Sequence, residues 1–278
     1  MMNMEYTEKK EKLYRLFRKL TREDVAVAFS GGVDSSLILK LACMYAKENH
    51  TRVCAYTAYT QLHPAVDLEL AEKVAGEIGA EHTVLTIQEL KEAGIENNPE
   101  NRCYLCKKRI FQSFLEHAAR EGISQLIEGS NLDDTRVYRP GLKAISELGV
   151  KSPLMEAEFT KEDVRTLAAE LQISSASRPS TPCMATRFPY GTRLTEEKLK
   201  KVENAEGFLR MIGFENIRLR VHENVARIEI DEKYFGKLLE HRKEISEYLK
   251  GLGYDYITLD LDGFRSGSMD KMIEQRGN

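Results

Sequence analysis

The amino-acid sequence predicts an α/β protein in which a doubly wound parallel sheet is followed by a smaller C-terminal α+β domain. Three observations lead to this fold class. Strand and helix patterns alternate through the first half of the chain, which favours parallel strands joined by right-handed crossovers. A glycine pair, Gly31-Gly32, separates a buried strand pattern from a helix. Beyond residue 190 the alternation gives way to a hairpin pattern, so we expect one domain over 1–190 and a second over 191–278.

The elements of the first domain follow from apolar periodicity and from helix start signals. Residues 25–29 are apolar throughout, which is typical of a strand buried on both faces. Pro64 suits the first turn of a helix. The sequence T-K-E-D from Thr160 is a capping-box pattern that opens a helix to about Leu171. The predicted strands are 25–29, 52–58, 82–87 and 125–129, and the main predicted helices begin at 34, 64, 104 and 161.

A long loop precedes the second domain, because residues 173–193 hold three of the seven prolines and show no periodicity. A helix is predicted over 195–212. Residues 217–221 and 225–230 alternate apolar and polar side chains around a short connection, which predicts a β-hairpin. A helix over 234–249 and a strand over 256–262 complete the domain.

The composition is that of a globular protein without membrane segments. The 278 residues carry a formal charge of −3, and 42% of them are hydrophobic. No apolar run approaches the roughly 20 residues that span a bilayer, and the N-terminus lacks the apolar core of a signal peptide. We therefore expect a cytoplasmic protein with no membrane partner, and the acidic balance argues against a nucleic-acid partner. Five cysteines in such a chain indicate thiol, metal or cluster chemistry in place of disulfides.

The segment Ser30-Gly31-Gly32-Val33-Asp34-Ser35-Ser36 predicts a phosphate site. Glycines let the main chain approach phosphate oxygens, the first helical N–H groups have no intrahelical partner, and the serine hydroxyls add donors. The chain has no Walker A pattern. The segment resembles the PP-loop of the ATP pyrophosphatases, which cleave ATP between its α and β phosphates; the alternative is an ordinary strand-to-helix turn. Asp34 is predicted to bind Mg²⁺, the alternative being an acidic residue favoured by the helix dipole, worth under about 1 kcal/mol.

Three of the five cysteines are candidates for chemistry. Cys103 and Cys106 lie at i and i+3, on the same side of a helix or turn, and such a pair fits a redox motif, half of a zinc site or part of a cluster site. Neither a second C-x-x-C nor a histidine pair completes a zinc ribbon, and no strand precedes the pair as in thioredoxin. Cys183, on the long loop, is a candidate reactive thiol or else a chance loop cysteine. Cys43 and Cys54 lie in apolar patterns and are predicted to pack.

Short segments spread over almost the whole chain carry a family resemblance. Besides residues 30–36 they are 101–107, 128–134, 138–141, 152–154, 183–192, 258–261 and 263–268. The most specific are a cysteine followed by R-F-P-Y-G-T, the Y-R-P-G segment and the C-terminal R-S-G-S. In these segments the sequence resembles the LarE family, the sulfur transferases that help to build the nickel-pincer nucleotide cofactor of lactate racemase. The resemblance implies a first domain of the PP-loop, adenine nucleotide alpha hydrolase-like type.

The resemblance also implies a reaction. In that family ATP adenylylates a carboxylate of pyridinium-3,5-biscarboxylic acid mononucleotide, pyrophosphate leaves, and sulfur replaces oxygen to give a thiocarboxylate. One version sacrifices the sulfur of a single cysteine, and the other holds a [4Fe–4S] cluster on three cysteines. This sequence resembles the second, with Cys103, Cys106 and Cys183 as ligands and Cys183 at the position of the sacrificial residue. The expected cofactors are ATP, Mg²⁺ and a [4Fe–4S] cluster, and both sulfur sources stay open.

Several cations are candidates for holding a substrate with carboxylates and a phosphate. Arg187, near Cys183, is one, and Arg218 and Arg220 share one face of a predicted strand. Arginine suits bidentate carboxylate and phosphate contacts, while the alternative for the strand pair is a solvated face matched with glutamates. Glu206 and Asp231, which are either metal ligands or surface acids, are left out of the predicted site.

The remaining candidates flank the ATP site. Lys107 is predicted to steady the α-phosphate, the alternative being a surface lysine. Thr57 ends the second strand, where adenine packs in folds of this type. Gly129 and Asn131 follow the fourth strand and are predicted to line the same crevice. Cys183, Asp34 and Lys107 are thus the predicted catalytic residues.

Other functions compete with sulfur transfer to a small nucleotide. A cluster-bearing tRNA thiolase shares the PP-loop and the three-cysteine chemistry, but the expected basic surface is not evident. An amidating synthetase needs no cysteine trio. A non-catalytic adenine-nucleotide-binding protein is a third possibility, although such relatives usually lose the S-G-G-x-D-S residues. The expected partners are the small nucleotide substrate, proteins of nickel-pincer cofactor assembly and further copies of this chain in a homo-oligomer.

Overall fold

The structure is a computed structural model that describes residues 4–136, 139–176 and 182–265. The described residues fall into two compact units, the first within 1–95 and 101–181 and the second within 96–100 and 182–278. Residues 96–100 group with the second unit, where the buried Asn98 side chain donates hydrogen bonds to the carbonyls of Phe188 and Pro189, at 3.1 and 2.9 Å. The domain boundary near 190 stays a prediction.

A parallel four-stranded sheet lies at the centre of the first unit and confirms the predicted fold class. Its strands are β1 (Val25–Ala28), β2 (Val53–Thr60), β3 (Glu81–Ile87) and β4 (Gln125–Ile127), in the order β3-β2-β1-β4. Val25 pairs with Val53 on one side and with Gln125 on the other, so β1 is an inner strand. It is apolar throughout because its two faces enter different apolar clusters, Val25 and Val27 in one and Ala26 in the other.

Helices cover both faces of this sheet, as the doubly wound prediction requires. They are α1 (Met4–Leu20), α2 (Val33–Asn49), α3 (Ala65–Ile78), α4 (Glu89–Glu92), α5 (Arg102–Arg120), α6 (Gly141–Glu147), α7 (Pro153–Glu156) and α8 (Lys161–Glu170). Phe17, Leu37 and Leu167 of α1, α2 and α8 belong to one cluster, and Phe114 and Ile145 of α5 and α6 belong to the other. The long helices lie within a few residues of their predicted bounds, whereas α4, α6 and α7 are too short to give a periodic pattern.

The second unit is built on a three-stranded sheet with an antiparallel hairpin. Its strands are β5 (Ile217–His222), β6 (Val225–Ile230) and β7 (Tyr256–Leu259), in the order β5-β6-β7. Ile217 lies opposite Ile230, which confirms the predicted hairpin, and β7 pairs parallel to β6. The helices are α9 (Glu196–Met211), α10 (Phe235–Glu240) and α11 (Arg242–Gly251). The single helix predicted over 234–249 is wrong, because the chain breaks at His241, where no glycine or proline marks the change.

Parts of three predicted features lie outside the described residues. They are Tyr138 of the Y-R-P-G segment, residues 266–268 of the R-S-G-S segment and residues 177–181 of the long loop. The described end of that loop contains a short 3₁₀ helix, Met184–Arg187. Within the three described ranges, every helix is too short or too polar to cross a bilayer.

Candidate active site

The predicted phosphate segment turns from the end of β1 into α2. Gly31 has φ +70°, and a Cβ built on it would lie 2.9 Å from the Cα of Ala71 on α3. Gly32 is the N-cap of α2 in an extended conformation. A side chain at position 31 would therefore be strained and would also collide with main-chain atoms. The turn brings main chain close to the N-terminus of α2, where helical N–H groups favour an anion.

The serines of this loop play unequal parts. The Ser35 hydroxyl accepts from the Ser30 N–H (3.2 Å) and donates to the Gly32 carbonyl (3.0 Å), so it shapes the turn. Ser36 is fully buried, and its hydroxyl has no hydrogen-bond partner within the described residues. A buried hydroxyl without a partner costs free energy, and it remains available as a donor to a ligand at the helix start.

Asp34 joins three elements of the first unit. One carboxylate oxygen accepts from Asn131 Nδ2 at 3.0 Å, and the other pairs with Lys161 Nζ. A Cβ on Gly129 would lie 3.0 Å from the carbonyl carbon of Asp34, so the loop after β4 packs directly on α2. The structure thus brings Asp34, Gly129 and Asn131 together, as predicted from the strand ends. The Asp34 carboxylate thus has two side-chain partners in addition to its favourable position at the start of a helix.

Lys161 is an additional candidate that the structure places beside Asp34, in a segment that the sequence identifies only as a capping box. That box is confirmed, since Thr160 and Asp163 exchange side-chain-to-main-chain hydrogen bonds at the start of α8. The backbone N–H of Lys161 also donates to Asp133 at 2.8 Å. A cation in the first turn of a helix is disfavoured by the helix dipole. That unfavourable placement was the one sequence signal for a functional lysine.

Thr57 is buried between β1 and β3. Its hydroxyl donates to the Phe29 carbonyl at 2.8 Å and lies 2.8 Å from His82 Nε2. Since the one hydroxyl proton is directed to Phe29, Nε2 of His82 carries a proton and donates to Thr57. Burial lowers the pKa of His82, which favours this neutral form. The prediction that adenine packs here is consistent with the buried site but is not tested by it.

Lys107 lies near Glu128, the residue that follows β4. Its Nζ lies 4.0 Å from a carboxylate oxygen of Glu128 and 5.5 Å from the centre of the Phe111 ring. Glu128 is 4% exposed and also accepts from the N–H of Ser130 at 3.0 Å. A Cβ on Gly141 would come within 2.7 Å of the Lys107 side chain, so this glycine packs directly beside the lysine. The Lys107 side chain is 34% exposed, and its predicted contact with the α-phosphate stays a prediction.

Cys43 and Cys54 pack as predicted, Cys54 buried and Cys43 half-buried against the apolar core. Cys54 is 1% exposed and lies 3.5 Å from Glu81, and its pKa rises to about 12, mainly through burial. Burial raises the pKa of Cys43 to about 11. Cys103 is exposed and Cys106 half-buried in the first turn of α5, and Cys183 is half-buried at the N-cap of the Met184–Arg187 helix.

Arg187 has a different environment from the one expected of a substrate ligand. It is 1% exposed, and Nε and Nη2 contact the two carboxylate oxygens of Glu206 at 2.8 and 2.9 Å. Its Nη1 donates to the carbonyls of Pro182 (2.9 Å) and Cys183 (3.2 Å). Glu206 also accepts from the N–H of Leu219 at 3.0 Å, so it is a buried anchor and the surface-acid interpretation is wrong. Arg187 holds the main chain around Cys183, and its contact with substrate stays a prediction.

Arg218 and Arg220 project from the same face of β5 but differ in their partners. Arg220 Nε lies 3.0 and 3.1 Å from the two carboxylate oxygens of Glu229, and its Nη1 donates to the Thr186 carbonyl. The Arg220–Glu229 pair is buried, so the alternative is right for Arg220 in its glutamate partner and wrong in its solvation. Contact of Arg220 with substrate stays a prediction. Arg218 has no ion-pair partner in the described part of the chain, and its guanidinium lies 5.0 Å from the Phe264 ring centre. Burial, reinforced by Arg187, lowers the pKa of Arg218 to about 10, so it remains a cation at neutral pH.

A metal centre was sought among the side chains that the structure describes. Over residues 4–136, 139–176 and 182–265, no three His, Cys, Asp or Glu side chains form a group that could hold a metal ion. Asp231 accepts from Asn216 Nδ2 at 3.0 Å, as a surface side chain would. The assignment of Cys103, Cys106 and Cys183 as cluster ligands therefore stays a prediction that rests on the family resemblance.

Some known proteins are similar to almost the whole chain and others to part of it. A family model described as Asparagine synthase matches residues 10–97. The chain is 39% identical to the pyridinium-3,5-bisthiocarboxylic acid mononucleotide synthase of Lactiplantibacillus plantarum, over 95% of each chain. It is 36% identical to an uncharacterised protein of Synechocystis sp., over 95% of this chain and 98% of the relative. Identity to the tRNA-specific 2-thiouridylase MnmA of Treponema denticola is 26%, over 56% of this chain and 52% of that protein. The first two relatives thus match both units, whereas the thiouridylase matches about half of the chain.

Proposed function

The chain belongs to the LarE family of ATP-dependent sulfur transferases, and we propose that it converts a carboxylate of pyridinium-3,5-biscarboxylic acid mononucleotide to a thiocarboxylate. ATP adenylylates the carboxylate, pyrophosphate leaves, and sulfur replaces the activated oxygen as AMP departs. The product is a precursor of the nickel-pincer cofactor of lactate racemase. The observation that carries this proposal is the 39% identity over 95% of both chains to a synthase named for the bisthiocarboxylic product.

The nucleotide loop supplies what the first step needs. A carboxylate is a poor electrophile, and adenylylation gives it a good leaving group while negative charge moves onto pyrophosphate. Gly31, Gly32 and the N-terminal amides of α2 form the anion site for these phosphates. Asp34 is the carboxylate suited to Mg²⁺, which when bound neutralises charge on the departing pyrophosphate.

Lys161 and Lys107 are two cations of the first unit that we assign to this chemistry. Lys161 is paired with Asp34, and their side chains are 37% and 23% exposed. Binding of Mg²⁺ and ATP offers each member of this pair a stronger partner, the metal for Asp34 and a phosphate for Lys161. Lys107, fixed by Glu128, is proposed to steady the α-phosphate that becomes bonded to the substrate.

Sulfur delivery is proposed to use Cys103, Cys106 and Cys183. Thiolates are the ligands that iron–sulfur clusters require, and three of them leave one iron of a [4Fe–4S] cluster able to carry an additional sulfide. All three thiols are exposed or half-buried. Residues 96–100, directly before the C-x-x-C pair in the chain, accept main-chain hydrogen bonds from Gly191 and Leu194, in the segment after Cys183. The alternative is that Cys183 gives up its own sulfur, with Arg187 holding the main chain around it.

The second unit supplies cations for the substrate. Arg218 is proposed as a direct ligand of a substrate carboxylate or phosphate, because it is a half-buried cation without an ion-pair partner among the described residues. Arg187 and Arg220 already bind Glu206 and Glu229. They contact substrate only if it displaces those carboxylates, and otherwise they position Cys183 and Arg218. A homo-oligomer, partners in cofactor assembly and a cytoplasmic location stay predictions.

A tRNA thiolase is the second candidate, favoured by the similarity to the thiouridylase. One experiment separates the two. The purified chain is incubated with ATP, a sulfur source and either the pyridinium mononucleotide or unmodified tRNA, and pyrophosphate and thiolated product are measured. Sulfur transfer to the mononucleotide alone supports the proposal, and transfer to tRNA alone would overturn it.

The sulfur source has its own test. Protein purified without oxygen is analysed for iron and acid-labile sulfide, before and after Cys103→Ala. About four irons and four sulfides per chain, lost in the variant, would support a cluster. Iron-free protein in which Cys183 loses the mass of H₂S during turnover would support the sacrificial version.

A further inference from the structure

The second unit contains a cavity that the proposed sulfur transfer does not use. Its volume is about 550 Å³, and every lining residue belongs to this unit. Pockets for small molecules in proteins commonly measure 300–1,000 Å³. The lining combines a few apolar side chains with several donors, and it includes Phe188 and Val221, which are 2% and 6% exposed.

Tyr254 is the most informative residue of this lining. It is 6% exposed, yet its hydroxyl has no hydrogen-bond partner within the described residues. Burial raises its pKa to about 12, so the hydroxyl keeps its proton and stays a donor at neutral pH. The hydroxyl oxygen is not among the fully buried side-chain atoms that lack a partner, so it is accessible to solvent, and Tyr254 lines the cavity. The hydroxyl is therefore available to donate a hydrogen bond to a ligand there.

The charged groups of the lining favour an anion. Lys198 and Lys201 lie at i and i+3 on α9 and so face the same side. Lys198 Nζ donates to the carbonyl of Arg193 at 2.9 Å, and it has no carboxylate partner in the described ranges. The partner of Lys201, Glu197, is 77% exposed, so a ligand could replace it at little cost.

Two further titratable groups reach the cavity, Glu223 and His222. Burial and the nearby Arg227 lower the pKa of His222, so it is neutral at pH 7. The lining then carries two lysine charges against one glutamate charge. This balance disfavours a cationic ligand and leaves an excess of positive charge for an acidic group.

We propose that this cavity binds a small molecule in which a phosphate or carboxylate is joined to an aromatic body. Lys198 and Lys201 bind the anionic group, the Tyr254 hydroxyl donates to it, and the ring packs on Phe188 and Val221. Phe188 immediately follows the 3₁₀ helix that begins after Cys183, so an occupant would touch the segment that Arg187 and Asn98 hold in place.

The proposal is tested by measuring the binding of phenyl phosphate to the full chain with calorimetry and saturation-transfer NMR. We expect saturable binding that falls about tenfold or more in the double variant Lys198→Ala/Lys201→Ala, because charge-assisted contacts are lost. Tyr254→Phe keeps the ring and should weaken binding roughly fivefold. Lys243→Ala, an exposed lysine of the same unit that does not line the cavity, should leave affinity unchanged. Circular dichroism establishes that each variant is folded.

Three results would overturn the proposal. They are no binding, binding that both lining variants leave unchanged, and binding that disappears only in Arg218→Ala, which would place the probe at the proposed substrate site. Inorganic phosphate and benzoate serve as separate probes. If inorganic phosphate binds as tightly as phenyl phosphate, the aromatic part of the proposal is wrong. Pyrophosphate release from ATP, measured on the same preparations, reports separately on the proposed sulfur transfer.

Discussion

The nucleotide loop of the first unit and the Cys183 segment of the second are held by different forces. The loop is shaped by the main chain, with Gly31 at positive φ against Ala71 and partly exposed charges around it. The Cys183 segment is held by buried charges, Arg187 on Glu206 and Arg220 on Glu229. Loss of one partner from a buried pair leaves an uncompensated charge, whereas loss of a partly exposed charge costs little stability. Substitutions of these charges should therefore destabilise the Cys183 segment, whereas those around the nucleotide loop should mainly slow the reaction.

The largest effect is expected from Glu206→Gln. This change keeps the shape of the side chain but leaves the buried Arg187 guanidinium without its counter-charge, and the cost for such a pair is about 3–5 kcal/mol. We expect the free energy of local opening, measured by hydrogen exchange of α9 and β5 amides, to fall by that amount. Reactivity of Cys183 toward an alkylating reagent should rise with it, because the carbonyls around Cys183 lose their anchor.

The matched control is Glu203→Gln on the same helix, whose partner Lys200 is 66% exposed. Exposed pairs contribute about 0–1 kcal/mol, so its exchange rates should stay close to those of the unmodified protein. Equal protection in Glu206→Gln and Glu203→Gln would show that the buried network does not hold the segment.

Lys161→Met tests the nucleotide loop, where we expect a large loss of rate and little loss of stability. The expected result is a fall of about 100-fold in pyrophosphate release, because a positioned charge on the departing phosphates is removed. Stability should change by less than about 1 kcal/mol, since both members of the Asp34 pair are partly exposed. Initial rates at saturating ATP measure pyrophosphate release, and a urea titration measures the free energy of unfolding.

Lys12→Met is the control for the loss of a lysine, because Lys12 pairs with Glu158 at the surface, and it should leave pyrophosphate release unchanged. If Lys161→Met releases pyrophosphate at the unmodified rate, Lys161 has no part in the reaction.

The same contrast explains how much could be predicted from the sequence. The phosphate loop was predictable because residue types determine its geometry. Gly31 tolerates φ +70°, the strand before it is apolar at every position, and a helix begins directly after it. The parallel sheet and the hairpin followed from periodicity for the same reason. Local residue chemistry determines these features, with little help from distant parts of the chain.

The buried charges could not be predicted, because an arginine looks the same in sequence whether it binds a ligand or a buried glutamate. Arg187 lies 19 residues from Glu206 along the chain, and no local pattern joins them. Lys161 was overlooked since the capping box around it already gave its segment a structural role. The break at His241 has no residue-type signal, and the packing that causes it is tertiary.

Gly31→Ala should produce an intermediate effect in the first unit. A left-handed conformation costs a non-glycine residue about 1–2 kcal/mol, and contact with Ala71 adds to that cost, so we expect a loss of about 2 kcal/mol together with weaker ATP binding. Urea unfolding and equilibrium dialysis with ATP measure the two losses.

Gly76→Ala on α3 is the counterpart, because a Cβ there meets nothing within 4 Å in a helical segment. Alanine should stabilise α3 by up to about 1 kcal/mol without changing ATP binding. If both alanines were tolerated equally, the close approach of Gly31 to Ala71 would not constrain the loop.

The smallest effects come from a pair of threonines that cap helices in the two units. Thr160 caps α8 and Thr195 caps α9, each accepting a hydrogen bond from the N–H three residues later. Replacement by alanine should cost about 1 kcal/mol at either helix. The functional results should differ, because residue 161 is the lysine paired with Asp34, whereas α9 belongs to the second unit and the nucleotide loop to the first. We expect Thr160→Ala to slow pyrophosphate release severalfold and Thr195→Ala to leave it unchanged. Equal rates in both variants would mean that the capping box contributes stability alone and does not position Lys161.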